Sequence, residues 1–574
     1  MSGSVAQAIA RALRRHGVEV VFGQSLPSAV ILACEDVGIR QLSYRQENMG
    51  GAMADGYARV SGKTSIVAAQ NGPAAALLVA PLSEALKASV AIVAIVQDVE
   101  RQQVDRNAFQ ELDHLQLFSG CSKWVRRLLT ADRAEDYVDM AFVAAGSGRP
   151  GPAVLLLPAD LLRENAFCPL VERTSGLGRW PLDNLRPSDD AITDAAQLLA
   201  AARSPVVVAG GGATSAAASA ALARLQENTH LPVITTNMGK GVVDETHTLS
   251  CGVLGSLNGP RSLGHYAQAL LDEADVVLMV GTRTNQNGTD GWRNIPKLAT
   301  LVQIDIDPQE IGRNYEALRL TGEAASTLGA LCDCLEQLDL SKRQTKRPGL
   351  ADRIAGFWRA FDKSRAALLS GDAQPIRPER VMAELQKLLT ADTIVVADAS
   401  YSSMWVVGQL RSTAARQRFI SPRGLAGIGW GLPLAIGAKI ARPDSNVVAV
   451  VGDGGFAHSW AELETLVRSR LAVTVVVLNN GVLAFQKHAE QVKFGAYTSA
   501  CHFAPVDHAM IAAACGCKSL RVDLPADIHG ALSNAMASDD PWLIEIMSDP
   551  DSHPALSLFG SALKDSRQMM PLPA

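Results

Sequence analysis

Two β-branched runs, Asn446 to Val451 and Leu471 to Leu478, flank a stretch in which Trp460, Leu463, Leu466 and Val467 recur at helical spacing, centred on Ala461 to Arg470. Short, continuously apolar runs of this kind read as strands buried on both faces, and a strand, a helix and a second such strand make a parallel β-α-β unit. No other feature constrains the fold as much, because parallel strands need a crossover and helices covering the sheet. The unit also has a chemical consequence. Its first strand leaves through the turn Gly452-Asp453-Gly454-Gly455 and its second through Leu478-Asn479-Asn480. Both strand ends open on the same sheet edge, so Asp453 and Asn480, 27 positions apart, can meet there. A carboxylate and an amide oxygen beside small residues are hard donors of the kind Mg2+ takes together with phosphate oxygens and water. Taken singly, a capped Gly-rich turn and an Asn pair ending a strand carry no such meaning.

The same alternation recurs along the chain. A length of 574 residues exceeds what one core can organise, and turn-rich stretches near Ser175 to Ser188 and Leu340 to Pro348 divide the chain into thirds. Strand-like runs fall at Glu19 to Phe22, Gln41 to Tyr44, Thr64 to Ala69, Ala91 to Gln97 and Ala153 to Leu157. In the middle third they fall at Pro205 to Ala209, Val276 to Val280 and Leu301 to Asp305, and in the last at Thr393 to Ala397 and Trp542 to Ile546 as well as in the unit above. The expected class is α/β, with three doubly wound parallel-sheet domains at 1–172, 185–340 and 375–548 and a tail at 549–574.

Composition removes several classes of function. A net charge of -5 with no long basic run gives no footprint for nucleic acid, and no apolar stretch is long enough to span a bilayer. The segment Ser4 to His16 reads as a first helix and not as a targeting peptide. Nine scattered cysteines without Cys-x-x-Cys spacing suit reduced thiols in a cytoplasmic protein.

The Gly-Asp-Gly motif, with Asn-Asn about two dozen residues on, resembles that of the thiamine diphosphate enzymes. The order of the three domains is similar to the pyrimidine-binding, central and diphosphate-binding domains of their acetolactate synthase branch. The resemblance implies thiamine diphosphate bound through Mg2+ on Asp453, Asn480 and the backbone carbonyl of Val482, with Gly452, Gly454 and Gly455 lining the diphosphate. Tyr44-Arg45-Gln46-Glu47, followed by Gly56-Tyr-Ala-Arg59, resembles the segment whose glutamate shares a proton with the cofactor's pyrimidine ring, which makes Glu47 the expected catalytic acid. A first-turn Glu favoured by the helix dipole is the alternative. In Asp398-Ala-Ser-Tyr-Ser-Ser-Met-Trp405, just past a strand, Tyr401 and Ser402 correspond to diphosphate contacts. Within Gly424 to Pro433, Ala426 offers a carbonyl for the 4'-amino group and Ile428 the wedge between the thiamine rings.

Asn107-Ala-Phe-Gln-Glu111 resembles the acetolactate synthase signature, in which Phe109 and Gln110 face the thiazolium of a neighbouring subunit. This favours decarboxylation of a 2-keto acid, by default pyruvate, followed by carboligation to a second carbonyl compound. Gln24, Ser25, Phe109, Lys487 and His488 are the candidate substrate residues. Three loops depart from the pattern: Gln24-Ser-Leu-Pro-Ser28, Gly72-Pro73-Ala74, and Lys487-His-Ala489, where a tryptophan is usual. An oxalyl- or 2-hydroxyacyl-coenzyme A lyase or decarboxylase is therefore the alternative, and a catalytically silent homologue a remoter one. The central domain is expected to hold FAD or ADP, or neither, with Gly211, Gly212, Arg283 and Asp307 as lining residues. The resemblance further implies a homodimer at minimum and a homotetramer beyond it.

Overall fold

The computed structural model describes residues 2–167 and 173–559. Most of the expected tail, residues 560–574, and the short segment 168–172 therefore lie outside the described residues. The chain opens as its sequence suggests. Ser4 caps the helix Val5–Arg15 in a reciprocal capping box with Gln7, and the helix buries Val5, Ile9 and Leu13.

Three parallel sheets of six strands follow. The first runs, in spatial order, Arg40–Leu42, Val20–Phe22, Ser65–Ala69, Ile92–Asp98, Pro152–Pro158 and Trp124–Arg127. The third runs Phe419–Ile420, Ile394–Ala397, Val447–Gly452, Val473–Asn479, Trp542–Met547 and Lys518–Val522. Numbered by chain order within each sheet, both are 2-1-3-4-6-5. The middle sheet, Ser250–Val253, Val233–Thr235, Pro205–Ala209, Val276–Val280, Thr300–Asp305 and Leu318–Thr321, is instead 3-2-1-4-5-6, the doubly wound order of dinucleotide-binding folds. An antiparallel pair, Ser2–Ser4 with Asn165–Phe167, ties the start of the chain to the end of the first sheet.

The first and third units share one apolar core. The helix Glu47–Ser61 crosses the helix Gly431–Ala441 with their backbones in contact, and Met53, Tyr57, Leu434 and Ile436 belong to a single buried cluster. Glycines permit the crossing: a Cβ on Gly56 would lie 2.2 Å from the Leu434 carbonyl oxygen. One expectation fails. The stretch from Leu340 to Pro348 is not a turn-rich divider but the start of the helix Ser341–Ser370, which contains Pro348. The proline removes a single backbone hydrogen bond from a helix of 30 residues, and the run of polar residues that suggested a loop is the solvent face of an exposed helix.

Candidate active site

In doubly wound sheets a ligand binds where the strand order reverses, beyond the carboxyl ends of the two diverging strands. In the third sheet those strands are Ile394–Ala397 and Val447–Gly452, and a cavity opens there. It is lined by Asp398 to Ser402 from the first strand end and Gly452 to Gly455 from the second. Asn480 and Val482 from the neighbouring strand, together with Ile428, complete the wall. Of the residues singled out for cofactor and metal in the sequence, all but Ala426 line this cavity.

Each side chain is held by its neighbours. Asp453 is the first residue of the short helix Asp453–Phe456 and is buried; its Oδ2 accepts the Gly481 N–H at 2.9 Å. Burial pushes its carboxyl up to about 6, against the pull of the Gly454, Gly481 and Asn480 backbone N–H groups. A cation placed there would reverse that shift. The Asn480 Oδ1 accepts the Val482 N–H at 3.1 Å. The Val482 carbonyl accepts from Ala484 at 2.9 Å, which leaves each oxygen a lone pair. Among the described residues no group of three or more His, Cys, Asp or Glu gathers as a metal cage. The set here is one carboxylate with amide and carbonyl oxygens, a donor set that suits Mg2+ sharing phosphate oxygens and suits softer metals poorly. Gly455 is required by packing, since a Cβ there would meet Asp398 Oδ2 at 2.1 Å. The helix Tyr401–Gln409 begins at the cavity, so its unpaired first N–H groups face the space a diphosphate would fill.

Lys487 and His488 stand behind this wall and do not line the cavity. The His488 Nδ1 and the Tyr401 hydroxyl lie 2.8 Å apart, and Lys487 is paired with Asp551 at 2.7 Å. Burial, with the nearby His553 ring and the charge of Lys487, lowers His488 to about 4, so it is neutral near pH 7.

Glu47, Gln110, Phe109, Gln24 and Ser25 are on the first domain, and none of them lines the cavity of its own chain. Glu47 is the half-buried first residue of the helix Glu47–Ser61. Gln24 reaches the segment preceding it, donating to the Tyr44 and Arg45 carbonyls at 3.4 and 3.2 Å, while Ser25 is exposed. Phe109 is 83% exposed. Gln110 adopts φ +60°, its carbonyl accepts from Asn71 at 3.0 Å, and its buried Oε1 has no partner within the described residues.

Several positioning groups gave no signal in the sequence. The fully buried His114 accepts the Gly72 N–H at 2.9 Å and lies 3.1 Å from Asp98, fixing the turn on which Gln110 rests. Asp398 accepts N–H bonds from Gly429, Trp430 and Gly431. Glu462, wholly buried in the third domain, accepts the N–H groups of Arg45 and Gln46, the residues that lead into Glu47. Each is a lone acidic or His residue whose partners are distant in sequence, and no local pattern marks it.

The switch point of the middle sheet forms a second, larger cleft, lined by Gly211, Gly212, Arg283 and Asp305 among others. Asp307 is not on its wall; Asp305 takes that place, and burial pushes its carboxyl up to about 6. Gly212 is required by packing, since its Cβ would lie 2.7 Å from the Gly281 Cα.

A cavity with a hard-oxygen corner at the switch point of one of two like-ordered sheets suits a thiamine diphosphate enzyme, and comparison with protein-family models shows that class. Residues 3–117 match the N-terminal TPP binding domain of thiamine pyrophosphate enzymes, 192–331 their central domain and 398–546 their C-terminal TPP binding domain. The chain belongs to this family. More particularly, it is 31% identical to a protein named as a probable acetolactate synthase large subunit of Methanococcus aeolicus, over 97% of this chain and 94% of the relative. It is 30% identical to the acetolactate synthase isozyme 2 large subunit of Escherichia coli K12, over 95% of each.

Proposed function

We propose that the chain is an acetolactate synthase-type carboligase, which decarboxylates a 2-keto acid, pyruvate by default, and joins the resulting two-carbon unit to a second carbonyl compound. The observation that carries this reading is the cavity at the third sheet's switch point, where Asp453, Asn480, Val482, Ser402 and Ile428 share one wall. The relatives named as acetolactate synthases support it over a coenzyme A thioester lyase.

Asp453, the Asn480 side chain and the Val482 carbonyl would hold Mg2+ and, through it, the diphosphate, with Tyr401 and Ser402 and the glycines 452, 454 and 455 closing around it. The Ala426 carbonyl would accept from the 4'-amino group while Ile428 supports the rings. Thiamine diphosphate supplies a nucleophilic carbon and an electron sink for the carbanion left by decarboxylation. Glu47 would be the proton partner of a ring nitrogen of the cofactor, and Gln110 would face the thiazolium brought by a second copy. The departures at Gln24, Ser25, Lys487 and His488 would tune which carbonyl compounds are accepted.

Glu47, Phe109 and Gln110 do not line the cavity of their own chain, which supports a site completed by a second copy. The working unit on this reading is a homodimer at minimum, and the resemblance implies pairing of dimers into a homotetramer. The central cleft would take the adenine nucleotide portion of FAD or ADP. No helix of the described residues is long and apolar enough to cross a membrane. A cytoplasmic setting suits the eight described cysteines, all free thiols.

The test is mass-spectrometric product analysis with thiamine diphosphate, Mg2+ and pyruvate, with and without aldehyde acceptors, beside Glu47→Gln. Acetolactate or a mixed acyloin that disappears in the variant is expected, and bound cofactor without pyruvate turnover would overturn the reading. Mixing inactive Glu47→Gln and Asp453→Asn chains under subunit exchange should restore about a quarter of the activity, since half of random dimers are hybrids with one intact site. No recovery would refute a shared site.

A further inference from the structure

The loop joining the strand Phe419–Ile420 to the helix Gly431–Ala441 carries Ala426 and Ile428, and almost wholly buried carboxylates grip it at both ends. At its far end Asp398 accepts N–H bonds from Gly429, Trp430 and Gly431 at 2.9, 3.0 and 3.2 Å. At its near end the grip comes from the first domain. Glu84, on the helix Val79–Ala88 and 2% exposed, accepts the Gly424, Leu425 and Ala426 N–H groups at 2.5, 2.5 and 3.1 Å. Between the two grips only Gly427 and Ile428 are left, and Ile428 is 37% exposed on its own chain.

Nothing in the loop's own sequence would fix that shape. Three glycines at 424, 427 and 429 leave its backbone free, yet Ala426 sits at φ +63°, a region that residues with a Cβ avoid. Three consecutive N–H groups converging on one buried carboxylate supply the missing constraint, because any other backbone course would take those three donors from a carboxylate that is 2% exposed. Arg59, 3.6 Å from Glu84, provides the countercharge.

We infer that Glu84 is a positioning residue: it presets the loop so that the Ala426 carbonyl and the Ile428 side chain meet the cofactor's rings. It does so from another domain and without touching the diphosphate cavity. The inference rests on the cofactor reading proposed above. A carboxamide cannot substitute, since glutamine offers one acceptor oxygen and would turn an NH2 group toward the remaining N–H donors. Aspartate keeps both oxygens but falls one methylene short.

The test uses the full-length protein and compares Glu84→Gln and Glu84→Asp with the unsubstituted chain. Amide hydrogen exchange without cofactor, read on peptides covering 421–431, is expected to quicken by about tenfold or more in Glu84→Gln. Calorimetric affinity for thiamine diphosphate with Mg2+ should change by less than about threefold, because Asp453 and Asn480 are untouched. Exchange of the bound cofactor's thiazolium C2 proton should fall by about a hundredfold, the effect of a misplacement near 1 Å. Glu84→Asp should recover part of both losses.

Unchanged amide and C2 exchange in Glu84→Gln would overturn the inference and leave the cofactor reading intact. So would an affinity loss that matches the C2 effect together with a lowered unfolding midpoint, the mark of a merely structural role. If Glu84→Gln does not fold, an aspartate variant that folds with undiminished C2 exchange overturns it. An unsubstituted protein that binds no thiamine diphosphate would overturn the cofactor reading, and this inference with it.

Discussion

Replacing Gly437 by alanine should damage both stability and catalysis, although alanine is the better helix former. In the helix Gly431–Ala441 a Cβ on Gly437 would lie 1.9 Å from the Met53 carbonyl oxygen and 2.7 Å from the Tyr57 nitrogen. Real Cβ contacts stay above 3.0 Å, so the crossing helices must part by roughly 1.1 Å. Both obstacles are backbone atoms, and no rotamer change relieves them. Alanine gains up to about 1 kcal/mol of helix propensity. Overpacking costs about 1–3 kcal/mol and sometimes more, and a gap of about 0.5–1 Å along the rest of the crossing forfeits about a quarter to a half of its dispersion contacts. The clash therefore outweighs the propensity, with a net loss of about 1–3 kcal/mol. Gly329→Ala is the control. It lies inside the helix Ala324–Leu335 with nothing within 4 Å of the added carbon, and it should be neutral or stabilising by up to about 1 kcal/mol. Urea unfolding at fixed protein concentration reads the first effect. Because one crossing helix begins at Glu47 and the other ends the Ala426 loop, kcat/KM should also fall by about a hundredfold in Gly437→Ala and not in Gly329→Ala. An unfolding midpoint for Gly437→Ala at or above that of Gly329→Ala would refute the reasoning.

Thiamine diphosphate and Mg2+ at about a hundred times their dissociation constant should stabilise the protein by about 2.7 kcal/mol in thermal unfolding, and the same concentrations should give no shift in Asp453→Asn; equal shifts would remove Asp453 from the site. His488 is held down to about 4, so between pH about 6.5 and 4 the unfolded chain takes up a proton that the folded chain refuses. Stability should fall on acidification across that window by up to about 3 kcal/mol, a slope that His488→Gln removes; parallel pH profiles would refute the assignment. His114→Phe strands the buried Gly72 N–H and should cost about 1–3 kcal/mol while lowering kcat through the displaced Gln110 turn. Unchanged kcat would show that this turn is only structural.

What a sequence reveals depends on where the information is local. The buried strands at Pro205–Ala209, Val276–Val280 and Val473–Asn479 are continuously apolar, β-branched runs and are legible to within a few residues. Trp124–Arg127 and Lys518–Val522 are not, because they are edge strands with one wet side and carry arginine and lysine that break the apolar pattern. Phe419–Ile420 is too short to register at all. The cavity at Asp453 is legible because Asp453 and Asn480 directly follow consecutive strands of one β-α-β unit. Asp98, His114, Glu84 and Glu462 act across 16 to 417 positions, and their roles exist only once the chain has folded.

The strand orders show where each sheet reverses direction. Each sheet has such a reversal, and each reversal presents chemistry at its carboxyl edge. The third sheet presents the Asp453 cavity, the middle sheet the cleft lined by Arg283 and Asp305, and the first sheet the ends of Val20–Phe22 and Ser65–Ala69, where Gln24 and Gly72 emerge. The first and third sheets share an order but not a chemistry: one edge carries amides and Glu47, the other a hard-oxygen corner and a glycine floor. The helix crossing at Gly56 and Gly437 locks the two units back to back, and the buried carboxylates Glu84 and Glu462 are exchanged across that lock. Each unit thereby shapes a loop of the other. That arrangement separates the two groups it positions: the contacts within a chain set the geometry of the segment leading into Glu47 and of the Ala426 loop, while Glu47 itself stands away from the Asp453 cavity of its own chain.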